Sequence, residues 1–251
     1  MEPKTLVLSG GGIKGFGMLG MLHKLALEQN VLNHTINFVG SSAGGVIVAL
    51  LCFDLSPIEI FIFFLDLLPM NYSQDRDRVL SSLKNIIGDT TFSELYDQKG
   101  KVLVLTSFDK KNRDSLYYSK DTSPTKKIIE AVHETSNMPF LMTSADVFID
   151  GCLCSPFPIK YAKDKFCGSL LGIYTTSTNA NLLPIPNPYD DLKIVLQQLF
   201  NTLTLYEIFF ASKDDLILHF DNRIPFELFQ VDFQLAKDLF ISGYEQTHTK
   251  I

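Results

Sequence analysis

The apolar positions of this chain fall into two rhythms. Short unbroken runs, each closed by glycine or a polar cluster, predict buried strands. They are Thr5-Leu6-Val7-Leu8, Ile36-Asn37-Phe38-Val39, Lys101 to Thr106, Val147-Phe148-Ile149, a run within Phe166 to Tyr174, and Leu216 to Phe220. Ser115 to Tyr118 is expected to pair near the third of these, across a charged turn from Asp109 to Asp114. Between the runs the spacing turns helical. Met18, Leu19, Leu22, Leu25 and Ala26 share one face of a helix ending near Gln29. Val46 to Leu51 reads as a buried helix. Ser56-Pro57-Ile58-Glu59 is a helix start, with Ser56 as cap, Pro57 at the first position and Glu59 closing a capping box. The helix it opens, Ile58 to Leu68, is almost wholly apolar, which suits either a core helix or a partly exposed surface for acyl chains or a bilayer. Further helices are expected from Asp75 to Ile87, after the capping box Thr91-Phe92-Ser93-Glu94, from Ser123-Pro124 to about His133, from Asn187-Pro188 to about Ser212, and from Asp232 to Gln246. Strands that alternate with helices in this way predict an α/β fold with a mainly parallel sheet.

Composition narrows the class without changing it. Hydrophobic residues make up 46% of the 251 and charged residues 20%, the balance of a globular chain with a real core. No linker, internal repeat or low-complexity tract interrupts it, so 1–251 is expected to be a single domain. The net charge of −6 argues against nucleic acid as a partner and against docking to anionic lipid through a basic patch. The four cysteines lack the two spaced pairs of a zinc site, so no metal is expected and reduced thiols fit best. The first strand begins near Thr5, with no visible signal peptide before it. A cytoplasmic location, with peripheral contact at membranes, is the expectation.

Two turns carry candidate chemistry. The first strand runs into Ser9-Gly10-Gly11-Gly12-Ile13-Lys14-Gly15 and then a helix. Backbone N–H groups in such a loop, beside a helix N-terminus, attract negative charge. Gly10, Gly12 and Gly15 match a dinucleotide fingerprint, but the acid expected to close the second strand is absent. Phe16 after Gly15 rules out a Walker A loop. The second strand closes instead on Gly40-Ser41-Ser42-Ala43-Gly44, a G-x-S-x-G sequence between strand and helix. That is the setting of a nucleophile elbow, which holds a serine hydroxyl toward open space on a strained corner. The flanking glycines are expected where the corner is too crowded for side chains or needs unusual dihedrals.

Taken in order, Gly10-Gly11-Gly12-Ile13-Lys14-Gly15, Gly40-Ser41-Ser42-Ala43-Gly44, Ser136-Asn137-Met138-Pro139-Phe140 and Asp150-Gly151 resemble the patatin-like phospholipase family over most of the chain. Thr91 to Tyr96 and Asp238 to Tyr244 add to the likeness. The resemblance implies a three-layer fold and a lipid acyl hydrolase that works without a cofactor. Ser42 would be the nucleophile and Asp150 its base. The N–H groups around Gly10, Gly11 and Gly12 would form an oxyanion hole, and Lys14 would steady their loop. The substrate would be a phospholipid or other acyl-ester lipid met in transient peripheral contact with a membrane. Cys152 departs from the small residue the family carries after Asp-Gly, and Ser155-Pro156 stand where an Asn pair is common. A bulkier turn there is expected to threaten the position of the Asp150 carboxylate.

Chemistry alone leaves rivals. Ester hydrolysis needs a hydroxyl, a base and oxyanion donors. A Ser42, Asp150, His219 order would make a triad, although none of His23, His34, His133, His219 and His248 stands in a motif-like setting. An unperturbed Asp titrates near ~3.9, so a Ser–Asp pair is expected to stay active below the ~6.5 of histidine. A catalytically inactive lipid-binding protein on the same fold, and a nucleotide-binding module, complete the alternatives.

Overall fold

The structure is a computed structural model, and it describes residues 3–71, 74–138, 147–176, 188–221 and 230–247. Its strands are β1 (Thr5–Leu8), β2 (Asn37–Gly40), β3 (Met70–Asn71), β4 (Val102–Asp109), β5 (Asp114–Tyr118), β6 (Phe148–Asp150), β7 (Leu170–Thr175), β8 (Leu216–Phe220) and β9 (Gln230–Val231). Its helices are α1 (Gly15–Gln29), α2 (Ser42–Cys52), α3 (Pro57–Leu65), α4 (Arg76–Ile87), α5 (Phe92–Lys99), α6 (Ile128–Thr135), α7 (Ile159–Lys165), α8 (Pro188–Ile208) and α9 (Phe233–Gln246). Seven strands form one sheet in the order β5-β4-β2-β1-β7-β8, with β6 paired to β4. The stretch from β4 to β8 is parallel, while β5 and β6 pair antiparallel with β4. β3 and β9 form a separate two-stranded ribbon.

Strand alternation builds three layers. Leu6 and Leu8 of β1 enter one apolar cluster and Val7 the other, and Leu103, Leu105 and Val104 of β4 divide in the same way. The larger cluster holds α1, α2, α3, α4, α6 and α9 against one face; the smaller holds α7 and the end of α8 against the other. The inner parallel strands β1, β2 and β7 are therefore buried on both sides, as their unbroken apolar sequence requires, while the edge strand β8 is mostly half-buried. α1 and α9 meet backbone to backbone. A Cβ on Gly20 would lie 1.9 Å from the Phe240 carbonyl oxygen, and one on Gly243 would lie 1.9 Å from that of Gly17.

Local signals place most boundaries. Both capping boxes form, at Ser56 and at Thr91. Where boundaries move, a long-range contact decides. The helix expected from Ser123 begins at Ile128, because Lys127 pairs with Thr91 as an isolated β-bridge and takes an extended conformation, with ψ 134°. α7 lies behind Pro156-Phe157-Pro158, and the strand expected from Phe166 starts at Leu170. The first turn of α7 is fixed from a distance, where the Lys160 N–H donates to Glu207 Oε2 at 2.9 Å. The apolar helix ends at Leu65, with Ile60 and Phe61 buried and Ile62 exposed. Asn187, expected to open the long helix, lies outside the described residues; that helix ends at Ile208 and not at Ser212. Among the described residues no single helix is long and apolar enough to cross a membrane.

Candidate active site

The sheet gathers three chain segments at one end of its parallel strands. β1 ends in the glycine loop and β2 in Ser42, both at the carboxyl edge where α/β sheets expose their crevices. Asp150 arrives by a different route. β2 pairs with β4 only as far as Gly40 opposite Leu105. β6 then takes up the same edge of β4, with Asp150 opposite Ser107. Asp150 is thus set into the line of β2, just beyond the elbow.

The elbow is crowded and strained. A Cβ on Gly40 would lie 2.6 Å from the Gly44 carbonyl oxygen, and one on Gly44 would lie 2.3 Å from that of Ser9. Crowding, not dihedral, demands both glycines. The positive φ belongs to Ser42 itself, at 51°, a left-handed conformation that costs a non-glycine residue about 1–2 kcal/mol. Thr135, at the end of α6, accepts the Ser42 N–H through Oγ1 at 3.1 Å.

The Ser42 hydroxyl donates to Asp150 Oδ2 at 2.7 Å. The other carboxylate oxygen accepts the Cys152 N–H at 2.8 Å. Asp150 is 1% exposed. Burial pushes its carboxyl up from 3.8 to about 6, against the pull of those two hydrogen bonds. The expectation of an ordinary carboxylate near ~3.9 is corrected by this desolvation, which no local sequence reports. Asn137 clamps the strand: its carbonyl accepts the Asp150 N–H at 3.0 Å and its Nδ2 donates to the Phe148 carbonyl at 2.9 Å. Pro139 and Phe140 of the same motif lie outside the described residues.

Cys152 does not displace the carboxylate. Its Sγ turns under the glycine loop, where it accepts from Ser41 Oγ at 3.6 Å and fills the place a Gly10 Cβ would take, 1.9 Å away. Gly10 donates its N–H to the Pro156 carbonyl at 2.8 Å, so that donor is already engaged. Among the described residues the N–H groups of Gly11 and Gly12 have no acceptor, and Gly12 has φ 55°. Lys14 is buried, and its Nζ donates to the Thr176 carbonyl at 2.7 Å, tying the loop to the end of β7. Burial lowers its ammonium to about 8, with Asp221 opposing the change.

The histidines stand elsewhere. His219 lies on β8, where its ring stacks on Tyr174 and meets Thr176 Oγ1 at 2.9 Å. Three strand spacings separate β8 from β2, or ~14 Å at ~4.8 Å each, beyond hydrogen-bond reach of Ser42. His23 packs on Phe240 and Tyr244; His248 lies outside the described residues. Among the described residues no group of three His, Cys, Asp or Glu could hold a metal ion.

A cavity of about 170 Å³ opens beside Ser42 and Asp150. Its far walls are apolar and include Leu19, Ile47, Phe64, Leu83 and Phe200. The space is comparable to a hydrocarbon-lined cavity of roughly 150 Å³ that admits a benzene ring. Sequence reasoning missed Thr135, the Pro156 carbonyl and the α8 wall of Phe200 and Thr204, because none carries a local motif. Asn137 was legible only as part of a motif.

An α/β sheet with the serine elbow, the glycine loop and the buried acid at one edge defines a patatin-like fold. The sequence profile of the patatin-like phospholipase family matches residues 6–163, and the chain belongs to that family. A probable lipid hydrolase, 463L, of Invertebrate iridescent virus 6 is 30% identical over 185 residues, which is 63% of each chain. This chain therefore aligns with less than two thirds of that relative's length. The uncharacterized protein R571 of Acanthamoeba polyphaga mimivirus is 25% identical over 99% of this chain and 93% of its own length. The crystal structure of VipD from Legionella pneumophila shares the fold, with a TM-score of 0.60 over 98% of this chain and 66% of VipD, at 15% identity.

Proposed function

We propose that this chain is a lipid acyl hydrolase that cleaves fatty-acyl esters through Ser42 and Asp150. The observation that carries the reading is the 2.7 Å contact between the Ser42 hydroxyl and a buried carboxylate at the polar end of an apolar cavity. As Ser42 Oγ attacks the ester carbonyl, its proton passes to Asp150. A carboxyl near 6 is a stronger base than an ordinary one yet ionised at neutral pH. The Gly11 and Gly12 N–H groups serve as oxyanion donors, while Gly10, held by Pro156, and Lys14, held at Thr176, fix the loop. Asp150 returns the proton to the departing alcohol. Water then attacks the acyl-serine, its proton passing to Asp150 and from there to Ser42 Oγ as the acid leaves, which restores both groups.

Family membership and the viral lipid hydrolase favour a phospholipid or related acyl-ester lipid as substrate. A cytoplasmic protein in transient peripheral contact with membranes, without nucleic acid, fits the acidic chain. The inactive lipid-binding alternative drew its support from Cys152 and from Ser155-Pro156 in place of an Asn pair, and the intact Asp150 contact weakens it. The test is purified protein against a soluble short-chain nitrophenyl ester and a phospholipid panel, beside Ser42→Ala. Turnover lost in the variant supports the reading. Folded wild-type protein that turns over none of them, or Ser42→Ala protein that keeps turnover, refutes it.

A further inference from the structure

α8 has two faces with different tasks. Gln197, Phe200, Thr204 and Glu207 are buried at helical spacing, and Phe200, Asn201 and Thr204 wall the cavity beside Ser42. The opposite face carries Val195, Leu199 and Tyr206, continued by Phe209 in the turn just past the helix end, exposed by 61, 40, 55 and 84%, with Leu205 beside them at 51%. The spacings of four, seven and three residues keep the first four in one stripe. From Ile194 to Ala211 the chain has a single charged residue, Glu207. That residue faces inward, accepting from Ser155 Oγ and the Lys160 N–H at 2.9 Å each. The outer face is therefore mostly apolar, interrupted by the exposed but uncharged Gln198 and Thr202, and it carries no charge over about four turns, which water-facing helix surfaces seldom manage.

We propose that this outer face of α8 docks the protein on a lipid surface of neutral or zwitterionic head groups. The choice of a lipid occupant rests on the acyl-hydrolase reading of the cavity. Charge and position argue for it. With no cation on the stripe and a net charge of −6, an anionic surface gains nothing and is repelled. A specific protein partner is oriented by charged groups at its rim, and the stripe itself carries none. Tyr206 offers a ring with one wet end, suited to a membrane–water boundary. The helix that would touch lipid is also the wall of the cavity, so the thickness of one helix, ~10 Å, separates the lipid surface from the site. The apolar helix α3 is not that surface. It buries Ile60 and Phe61 and turns Phe64 to the cavity, leaving Ile62 as its strongly exposed apolar residue.

The experiment is co-sedimentation with phosphatidylcholine vesicles, carried out on Ser42→Ala protein so that no lipid is consumed. Leu205→Glu with Phe209→Glu, in that background, is expected to weaken binding by at least about tenfold, since each removes a large inserted apolar side chain. Ile62→Glu is expected to leave binding unchanged. Replacing part of the phosphatidylcholine with phosphatidylserine is expected to weaken it. In the Ser42 protein, the double substitution should leave turnover of a soluble nitrophenyl ester unchanged. Absent vesicle binding, binding indifferent to the double substitution, binding lost only in Ile62→Glu, or binding that requires phosphatidylserine would each overturn the proposal. So would a homodimer in sedimentation velocity that the double substitution dissociates, because a second copy would then cover the face. The two readings fail separately. Vesicle binding without ester turnover removes the hydrolase and keeps the surface; turnover without binding does the reverse.

Discussion

Asp150→Asn should make the protein inactive and, at neutral pH, more stable. The variant keeps the shape of the side chain and removes its titration. In the folded chain the carboxyl is held at about 6 by burial, against 3.8 when exposed. Between these values the folded state keeps a proton that the unfolded chain releases. The stability this group confers is thus complete below pH 3.8 and is lost as pH rises through about 6. The gap corresponds to about 3 kcal/mol at pH 7, an upper bound for the gain because Asn makes weaker hydrogen bonds to Ser42 and Cys152. Denaturant unfolding of wild type and variant at pH 4, 5, 6 and 7 should show the two converging at acid pH and the variant ahead at pH 7. Turnover of a soluble ester by wild type should fall about tenfold per pH unit below 6, as the base is protonated. A variant less stable than wild type at pH 7, or wild-type activity that is flat down to pH 4.5, would refute the account of a buried, proton-accepting carboxylate. An acid limb near 6 does not by itself exclude histidine, so the Asn variant has to accompany it.

Four further outcomes follow from the geometry. Ser42→Gly should abolish hydrolysis and raise the unfolding free energy by about 1 kcal/mol, by relieving the positive φ; equal or lower stability would place no strain at the elbow. Gly10→Ala should cost at least ~100-fold in turnover through its clash with Cys152 Sγ, and adding Cys152→Gly should recover part of the loss; additive losses in the double variant would deny that coupling. Gly20→Ala should destabilise by about 1–3 kcal/mol, measured by thermal unfolding, because its methyl group meets the Phe240 carbonyl and forces α1 from α9. His219→Ala should keep most activity on a soluble ester, and a folded but dead variant would replace the dyad with a triad.

Much of this protein is written in short stretches of sequence. The two capping boxes, the glycine at 40, the apolar alternation of β1 and β4, and the order of the glycine loop, elbow and Asp-Gly turn are all local. Each is fixed by contacts within a few residues, by steric crowding at a turn, or by the period of a strand or helix. They suffice for the fold class and for naming Ser42 and Asp150. What depended on distant chain had to come from the tertiary structure. β6 enters the line of β2 only because β4 outruns β2, and that sets a carboxylate 2.7 Å from the serine. Burial by the surrounding layers, not the residue's neighbours in sequence, raises its pKa. Pro156 engages the Gly10 N–H across 146 residues, and Lys127 is drawn out of a helix by Thr91. The apolar run in α3 reads in sequence as either a core helix or a lipid surface, and packing turns it inward and leaves the uncharged stripe of α8 facing out. Hydropathy tells how much a segment gains by leaving water; the packing of the other segments decides which of its faces can.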